Sequence, residues 1–314
     1  MTSPGPRLVV LAGGVGAARF LRGLVAARPA AEVTVVGNTG DDIEVYGLHV
    51  SPDLDTVLYS LAGLADLERG WGLRGESWEA RAAMERLGGP TWFQLGDRDL
   101  ATHLWRTERL RRGLALSRVT AELAERLRLP VTLLPMTDQR VTTRVVTADG
   151  RDLHVQEYFV QEGCRPEIAR VHYAGLERAR PAPGVLAAIE AADAVVVAPS
   201  NPIMSIGPIL ALPGVRAAVR AQATVVAVSP IVAGAAIKGP AVAMLRAAGW
   251  EPTARGVAEG YQDCVSRFVL DDRDAALAPA VEELGVRARV TDTLMVDLPA
   301  AVHLAEITLA AADL

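Results

Sequence analysis

The chain has 314 residues, enough for one large domain or two ordinary ones around a sizeable core. Half of the residues are apolar and 22% are charged, which excludes a disordered or fibrous chain. The 32 Lys and Arg against 37 Asp and Glu leave a net charge of −5, which excludes a general attraction for nucleic acid or anionic lipid. Cys164 and Cys264 have no companions at metal-ligand spacing, so neither a disulfide framework nor a zinc knuckle is expected, and a reducing cytoplasm is the expected compartment. The apolar stretch 223–237 is broken by Ser229 and Pro230 and is shorter than the roughly 20 residues of a membrane span. The opening MTSPGPRLVV runs into a strand without the plan of a signal peptide.

In chain order, short Val- and Leu-rich runs at 8–12, 33–37, 131–134, 194–198 and 224–228 predict strands buried on both faces. Stretches of helical spacing follow at 17–27, 77–87, 98–112, 117–127, 185–192, 240–248 and 300–311. This alternation predicts an α/β fold with a Rossmann-like, doubly wound, mainly parallel sheet in a single domain over 1–314. The run 140–159 instead alternates around Asp149-Gly150 as a hairpin does. With the Pro-containing segment 161–183 it marks 140–183 as a smaller inserted subdomain.

The first predicted strand ends in Gly13, Gly14, Val15 and Gly16, where bare backbone lets N–H groups approach a phosphate at a helix N-terminus. Two departures argue against a dinucleotide site: Arg19 stands where a third glycine allows close packing, and Asn38-Thr39 stand where a ribose-binding carboxylate is expected. The loop also lacks the Gly-Lys-Ser/Thr ending of a P-loop. Four aspartates then fall within 15 residues, Asp41, Asp42, Asp53 and Asp55, in loops expected at the carboxyl ends of parallel strands. Hard oxygen ligands beside a phosphate suit Mg2+. A bland alternative is that Asp53 or Asp55 caps a helix beginning near Thr56.

A third cluster offers Asp97 as a helix cap, with Arg98 and His103 left to face a ligand. Seven of the 14 aromatic residues, Tyr46, Tyr59, Trp71, Trp78, Trp92, Phe93 and Trp105, fall in this part of the chain; they would either sandwich a flat ring or pack on one another. Ser200 and Asn201, after the fourth predicted strand, form a further candidate ligand loop. The five histidines show no paired spacing and no nucleophile elbow is present, which argues against zinc hydrolysis and triad chemistry.

The ordered motifs LAGGVGAARFLRGL, NTGDD, SPDLDT, LGDRDLATH, LLPMTD, APSNPIMSIGPIL and VSPIVAGAAIKGPA, with TDTLM near the end, resemble the 2-phospho-L-lactate transferase family of coenzyme F-420 biosynthesis. The resemblance implies a cytoplasmic homodimer that moves a phospho-acyl group from a guanosine diphosphate conjugate to the deazaflavin alcohol FO and releases GMP. It implies FO binding by Asp55, and by Gln94 at a position where other members carry Lys or Glu. Gly13, Gly14, Gly16, Asn38, Thr39, Ser200 and Asn201 would hold phosphate or nucleotide, and Asp53, Asp97, Arg98 and His103 would contact substrate. Asp41, Asp42 and Asp55 would serve metal binding and catalysis, with Mg2+ on Asp41 or Asp42 together with Asp55. The donor is enolpyruvyl, giving dehydro-F-420-0, or lactyl, giving F-420-0; LAGGVGAARFL and LGDRDLATHL look more like bacterial members and favour the former. The alternative is a non-catalytic sugar-nucleotide-binding regulator of the related family, which shares the glycine loop.

Overall fold

A computed structural model describes residues 5–237 and 239–314. Residues 1–4, at the start of the stretch read as lacking a signal, and Lys238, in the last long motif, lie outside the described residues.

The strands in chain order are β1 (Arg7–Ala12), β2 (Glu32–Gly37), β3 (Ile43–Val45), β4 (Leu48–Val50), β5 (Thr132–Pro135), β6 (Thr142–Thr147), β7 (Asp152–His154), β8 (Ile168–Ala174), β9 (Ala194–Val197), β10 (Val225–Val228), β11 (Ile231–Val232), β12 (Ala235–Ala236), β13 (Arg267–Asp271) and β14 (Arg287–Thr291). Seven form one parallel sheet in the order β14-β13-β10-β9-β1-β2-β5. In β1, Leu8, Val10 and Ala12 enter one core while Val9 and Leu11 enter the other. That is the two-residue period of a strand covered on both faces, and it explains why β1, β9 and β10 read as unbroken apolar runs.

The first five helices are α1 (Val15–Ala27), α2 (Pro52–Leu61), α3 (Glu79–Arg86), α4 (Asp99–Arg111) and α5 (Leu116–Arg126). Helices α1 and α2 share one core with the last helix, Leu298–Ala311, through Phe20, Leu21, Leu54, Leu58, Leu304 and Leu309. Helices Val185–Ala191, Val215–Arg220 and Ala254–Tyr261 cover the opposite face. From β1 the chain winds outward through β2 to β5, then returns to place β9 on the other flank of β1. The order therefore reverses between β1 and β9, the point in such sheets where a crevice opens beyond the carboxyl ends of the strands.

The hairpin expected at Asp149-Gly150 is present as β6 and β7, with Gly150 at φ +86°. The Pro-containing stretch after it holds β8, which adds to β6 and makes a three-stranded antiparallel sheet β7-β6-β8. Val145 of β6, with Val155 and Tyr158 just after β7, packs in the same core as one face of the large sheet.

Among the elements that differ from the sequence reading, three have a plain physical reason. Strand β13 escaped it because it begins with a buried charge, Arg267, whose Nη2 bonds Asp313 at 2.5 Å. The edge strand β14 exposes Arg287 and Arg289 on one face and so lacks an apolar run. Helix α2 begins at Pro52, not near Thr56; Pro is favoured at a first helical position, and neither Asp53 nor Asp55 caps the helix. Among the described residues no helix is long and apolar enough to cross a membrane.

Candidate active site

A cleft of about 690 Å3 opens at the carboxyl edge of the sheet, between the loops that follow β1, β2, β9, β10 and β14. At its base, Gly13 N donates to Ser200 Oγ at 3.1 Å and joins the loops after β1 and β9. Gly13, Gly14 and Gly16 all have ordinary negative φ, so left-handed backbone does not explain them. Close approach does. An added Cβ would lie 2.5 Å from Ser205 at Gly13, 2.5 Å from Asp53 Oδ1 at Gly14 and 2.2 Å from the Pro199 carbonyl oxygen at Gly16. The bare backbone at the start of α1 thus faces the cleft beside a carboxylate.

Asn38, fully buried after β2, brackets two of the acids. Its Nδ2 donates to Asp53 Oδ2 at 2.9 Å and to Asp41 Oδ1 at 3.2 Å, while its Oδ1 accepts from Gly40 N at 2.8 Å. Gln156, just beyond β7, donates to Asp41 Oδ2 at 2.9 Å, so the inserted sheet completes the bracket. Both carboxylates line the cleft. Burial pushes the Asp53 carboxyl up to about 6 against the hydrogen bonds from Asn38 and Ser205. Burial, then repulsion from Asp53 and Asp42, lifts that of Asp41 well above the ordinary range. Two acids that oppose each other's ionisation form a site for a positive charge.

Asp42 and Asp55, expected as cation ligands, are turned to other partners. Asp42 does not line the cleft: its Oδ2 accepts from Ser51 Oγ at 2.8 Å and lies 2.8 Å from His49 Nε2. Asp55 lines the cleft, but both its oxygens are gripped by the guanidinium of Arg106, which is fully buried. Burial works against that charge, yet the carboxylate of Asp55 holds the Arg106 pKa above its ordinary value. His103, also buried, lies 3.7 Å from Asp55 and 3.1 Å from Asp99, and Tyr59 donates to Asp99 at 2.6 Å. Asp99, His103 and Arg106 sit on one face of α4 at a spacing of four and three residues, a signal that sequence reading could have used.

The remaining expected residues divide. Gln94, Ser200 and Asn201 line the cleft, as do Tyr59, Trp71 and Phe93, and Phe159 from outside the aromatic cluster. Asn201 also caps the turn after β9, accepting from Ile203 N and Met204 N. Asn38 and Thr39 are buried behind the lining and do not reach it. Asp97 lies away from the cleft: instead of capping its own helix it caps α3, accepting from Ser77 Oγ, Glu79 N and Ala80 N at 2.7, 2.9 and 3.0 Å. Arg98 is exposed and donates to the Arg74 carbonyl at 3.1 Å. Trp78 packs edge-on against Trp71 with Arg69 over both rings, and Trp105 lies under Arg109. Sequence reading missed Arg106 and Gln156 as site-building residues, because their roles come from tertiary contacts with Asp55 and Asp41.

Among the described residues no group of three or more His, Cys, Asp or Glu is arranged to hold a metal by itself. A pair such as Asp41 and Asp53 suits a hard cation that completes its shell with water and phosphate oxygens, as Mg2+ does. The fold and the cleft define an α/β protein with a candidate ligand site at the carboxyl edge of its sheet: a close-packed glycine loop, an acid pair beside it and a wall with apolar and aromatic side chains.

The family described as 2-phospho-L-lactate transferase CofD matches residues 8–294, and the chain belongs to this family. It is 48% identical over 314 residues to the phosphoenolpyruvate transferase of Kitasatospora aureofaciens, covering 98% of each chain. It is 40% identical over 306 residues to the 2-phospho-L-lactate transferase of Methanosarcina acetivorans, covering 98% of this chain and 99% of that one. A crystal structure of a Bacillus halodurans protein of the upf0052 family superposes with a TM-score of 0.64 at 17% identity, covering 98% of this chain and 99% of that one, and shares the fold. The chain is a transferase.

Proposed function

We propose that this transferase moves a phosphoenolpyruvyl group from a guanosine diphosphate conjugate to the terminal ribityl hydroxyl of FO, forming dehydro-F-420-0 and releasing GMP. The observation that carries the reading is that one cleft is lined together by Gly14 and Gly16 of the glycine loop, by the carboxylates Asp41, Asp53 and Asp55, and by the rings Tyr59, Trp71 and Phe93. The glycine loop with Asp41 and Asp53 would meet a diphosphate, and the rings with Asp55 a flat ring with a hydroxyl chain. Greater identity to the named phosphoenolpyruvate transferase than to the 2-phospho-L-lactate transferase supports the enolpyruvyl donor over the lactyl one.

Asp41 and Asp53 would hold Mg2+, which when bound neutralises charge on the diphosphate. The amides at the start of α1 orient the phosphates, with the helix dipole favouring their charge. Arg106 fixes the Asp55 carboxylate in place, so that Asp55 accepts the hydrogen bond of the attacking hydroxyl and then its proton. The hydroxyl oxygen bonds to the phosphorus that bears the acyl oxygen, and the bond from that phosphorus to the GMP oxygen breaks with its electron pair leaving on GMP. Positioning and electrostatics supply most of the acceleration in such a transfer.

The test is FO binding by fluorescence and turnover with each donor, with and without Mg2+, on the wild type and on Asp55→Ala. Micromolar FO binding and GMP release, both lost in the variant, are the expected results. Absence of FO binding together with affinity for a UDP-sugar would replace this reading with the regulatory one.

A further inference from the structure

Arg19 is the only arginine or lysine that lines the cleft among the described residues. It lies one helical turn beyond Val15 on the same face of α1, half-buried, in a wall that also carries Asp41, Asp53, Asp55 and Asp99. It pairs with none of these acids. Its one hydrogen bond among the described residues runs from Nη1 to the Met295 carbonyl at 3.4 Å, at the long limit of such bonds, and leaves the rest of the guanidinium fork free. That carbonyl is held in place from behind: buried Asp271, at the end of β13, accepts from Thr293 N at 2.9 Å and Thr293 Oγ1 at 2.8 Å and so fixes the loop after β14. A guanidinium steered into an acid-lined cleft without an acid of its own is placed for an anion that arrives with a ligand.

Its position selects which anion. The cradle amides lie at the start of α1, about one helical pitch (~5.4 Å) before Arg19. Arg19 also borders a small recess with Val15, Thr56, Tyr59 and Trp71, the last two being rings assigned above to the acceptor. Resting on the transferase reading above, the donor brings two phosphates and one carboxylate. The cradle and the Asp41–Asp53 pair meet the phosphates. The carboxylate hangs from the phosphoryl group that passes to the acceptor, so it must lie near the acceptor and its rings. We infer that Arg19 is a specificity-determining residue that recognises the carboxylate of the transferred acyl group. The planar fork matches a carboxylate in two-point contact, which an ammonium does not reproduce.

The experiment compares wild type, Arg19→Gln and Arg19→Lys in the presence of Mg2+. It measures KM and kcat for the acyl-GDP donor and for the ethyl ester of GDP, which has no carboxylate, together with KM for FO and Kd for GDP. In Arg19→Gln the donor KM rises ten- to a hundredfold, the range of a lost charge-assisted hydrogen bond. The values for the ethyl ester, FO and GDP stay within about twofold, and Arg19→Lys recovers only part of the loss. An equal loss of GDP affinity would make Arg19 a diphosphate ligand and overturn the inference, as would an unchanged donor KM. Wild-type protein that neither binds FO nor consumes the donor would overturn the transferase reading as well, so the two failures are separable.

Discussion

Gly14 and Asp53 are in such close register that a methyl group on the first would lie 2.5 Å from Oδ1 of the second. Asp53 is in turn fixed by Asn38 at 2.9 Å. The glycine therefore guards the position of a carboxylate. In Gly14→Ala the carboxylate must move off its bracket, and since it is the end of a side chain it can do so with the fold intact. At Gly16 the corresponding atom is the Pro199 carbonyl oxygen at 2.2 Å, which is backbone and cannot yield cheaply. The expected outcome is a split: Gly14→Ala melts near the wild type but loses at least tenfold in turnover, whereas Gly16→Ala is destabilised by about 2 kcal/mol or more, in the range of overpacking. Urea unfolding beside steady-state kinetics checks it, and equal stability losses in both would remove the distinction.

The Asp53 carboxyl, raised from 3.8 to about 6 by burial, makes ligand-free stability depend on pH. Below about pH 4 the group is protonated in both folded and unfolded chains and costs nothing. Between these values the unfolded chain releases a proton that the folded chain keeps, so stability falls as pH rises, until above about pH 6 the full penalty of about 2–3 kcal/mol is present. Asp53→Asn should therefore be more stable than the wild type at pH 8, with the difference vanishing near pH 4. Mg2+ should raise the melting temperature of the wild type at pH 8 and leave that of the variant nearly unchanged. Thermal unfolding at several pH values, with and without the cation, reads both effects.

How much of this was legible in the sequence depends on whether a residue acts through its own loop or through a distant one. Strands β1, β9 and β10 were legible because both faces are covered and their side chains are uniformly apolar. The glycine loop and the acids at 41, 42, 53 and 55 were legible as a cluster because strand ends bring loops together. Their division of labour was not. Asn38 looked like a failed ribose ligand, yet it brackets Asp41 and Asp53; Asp55 looked like a cation ligand, yet its charge is met by Arg106, which is 51 residues away in sequence. Strand β14 exposes Arg287 and Arg289 on one face, and no apolar run announces it.

Asp97 illustrates the opposite error, a residue in a functional-looking motif with a local task. It accepts three hydrogen bonds from Ser77, Glu79 and Ala80, which hold its carboxyl below the usual range and cap α3. Asp97→Ala is expected to lose the amide-exchange protection at the start of α3 with little change in global melting, while KM for donor and acceptor stays within about twofold. A large fall in kcat with α3 still protected would return Asp97 to the site.

Arg106 and Asp55 provide the sharpest test of how charge is balanced in the cleft. Arg106 is 0% exposed and grips both oxygens of Asp55, and His103, 3.7 Å from that carboxylate, is a weaker substitute. Removing either partner strands a buried charge, so Arg106→Met and Asp55→Ala should each cost about 3–5 kcal/mol. Replacing both removes the stranded charge, and the double variant should unfold at well below the summed cost, by at least about 2 kcal/mol. Activity should behave differently. Stability returns in the double variant but FO binding does not, because the acceptor hydroxyl has lost its acceptor oxygen. Denaturant unfolding of the four proteins gives the coupling energy and FO titration gives the function. Additive stability losses would mean that the pair is not coupled in solution, and FO binding in the double variant would remove Asp55 from the acceptor site.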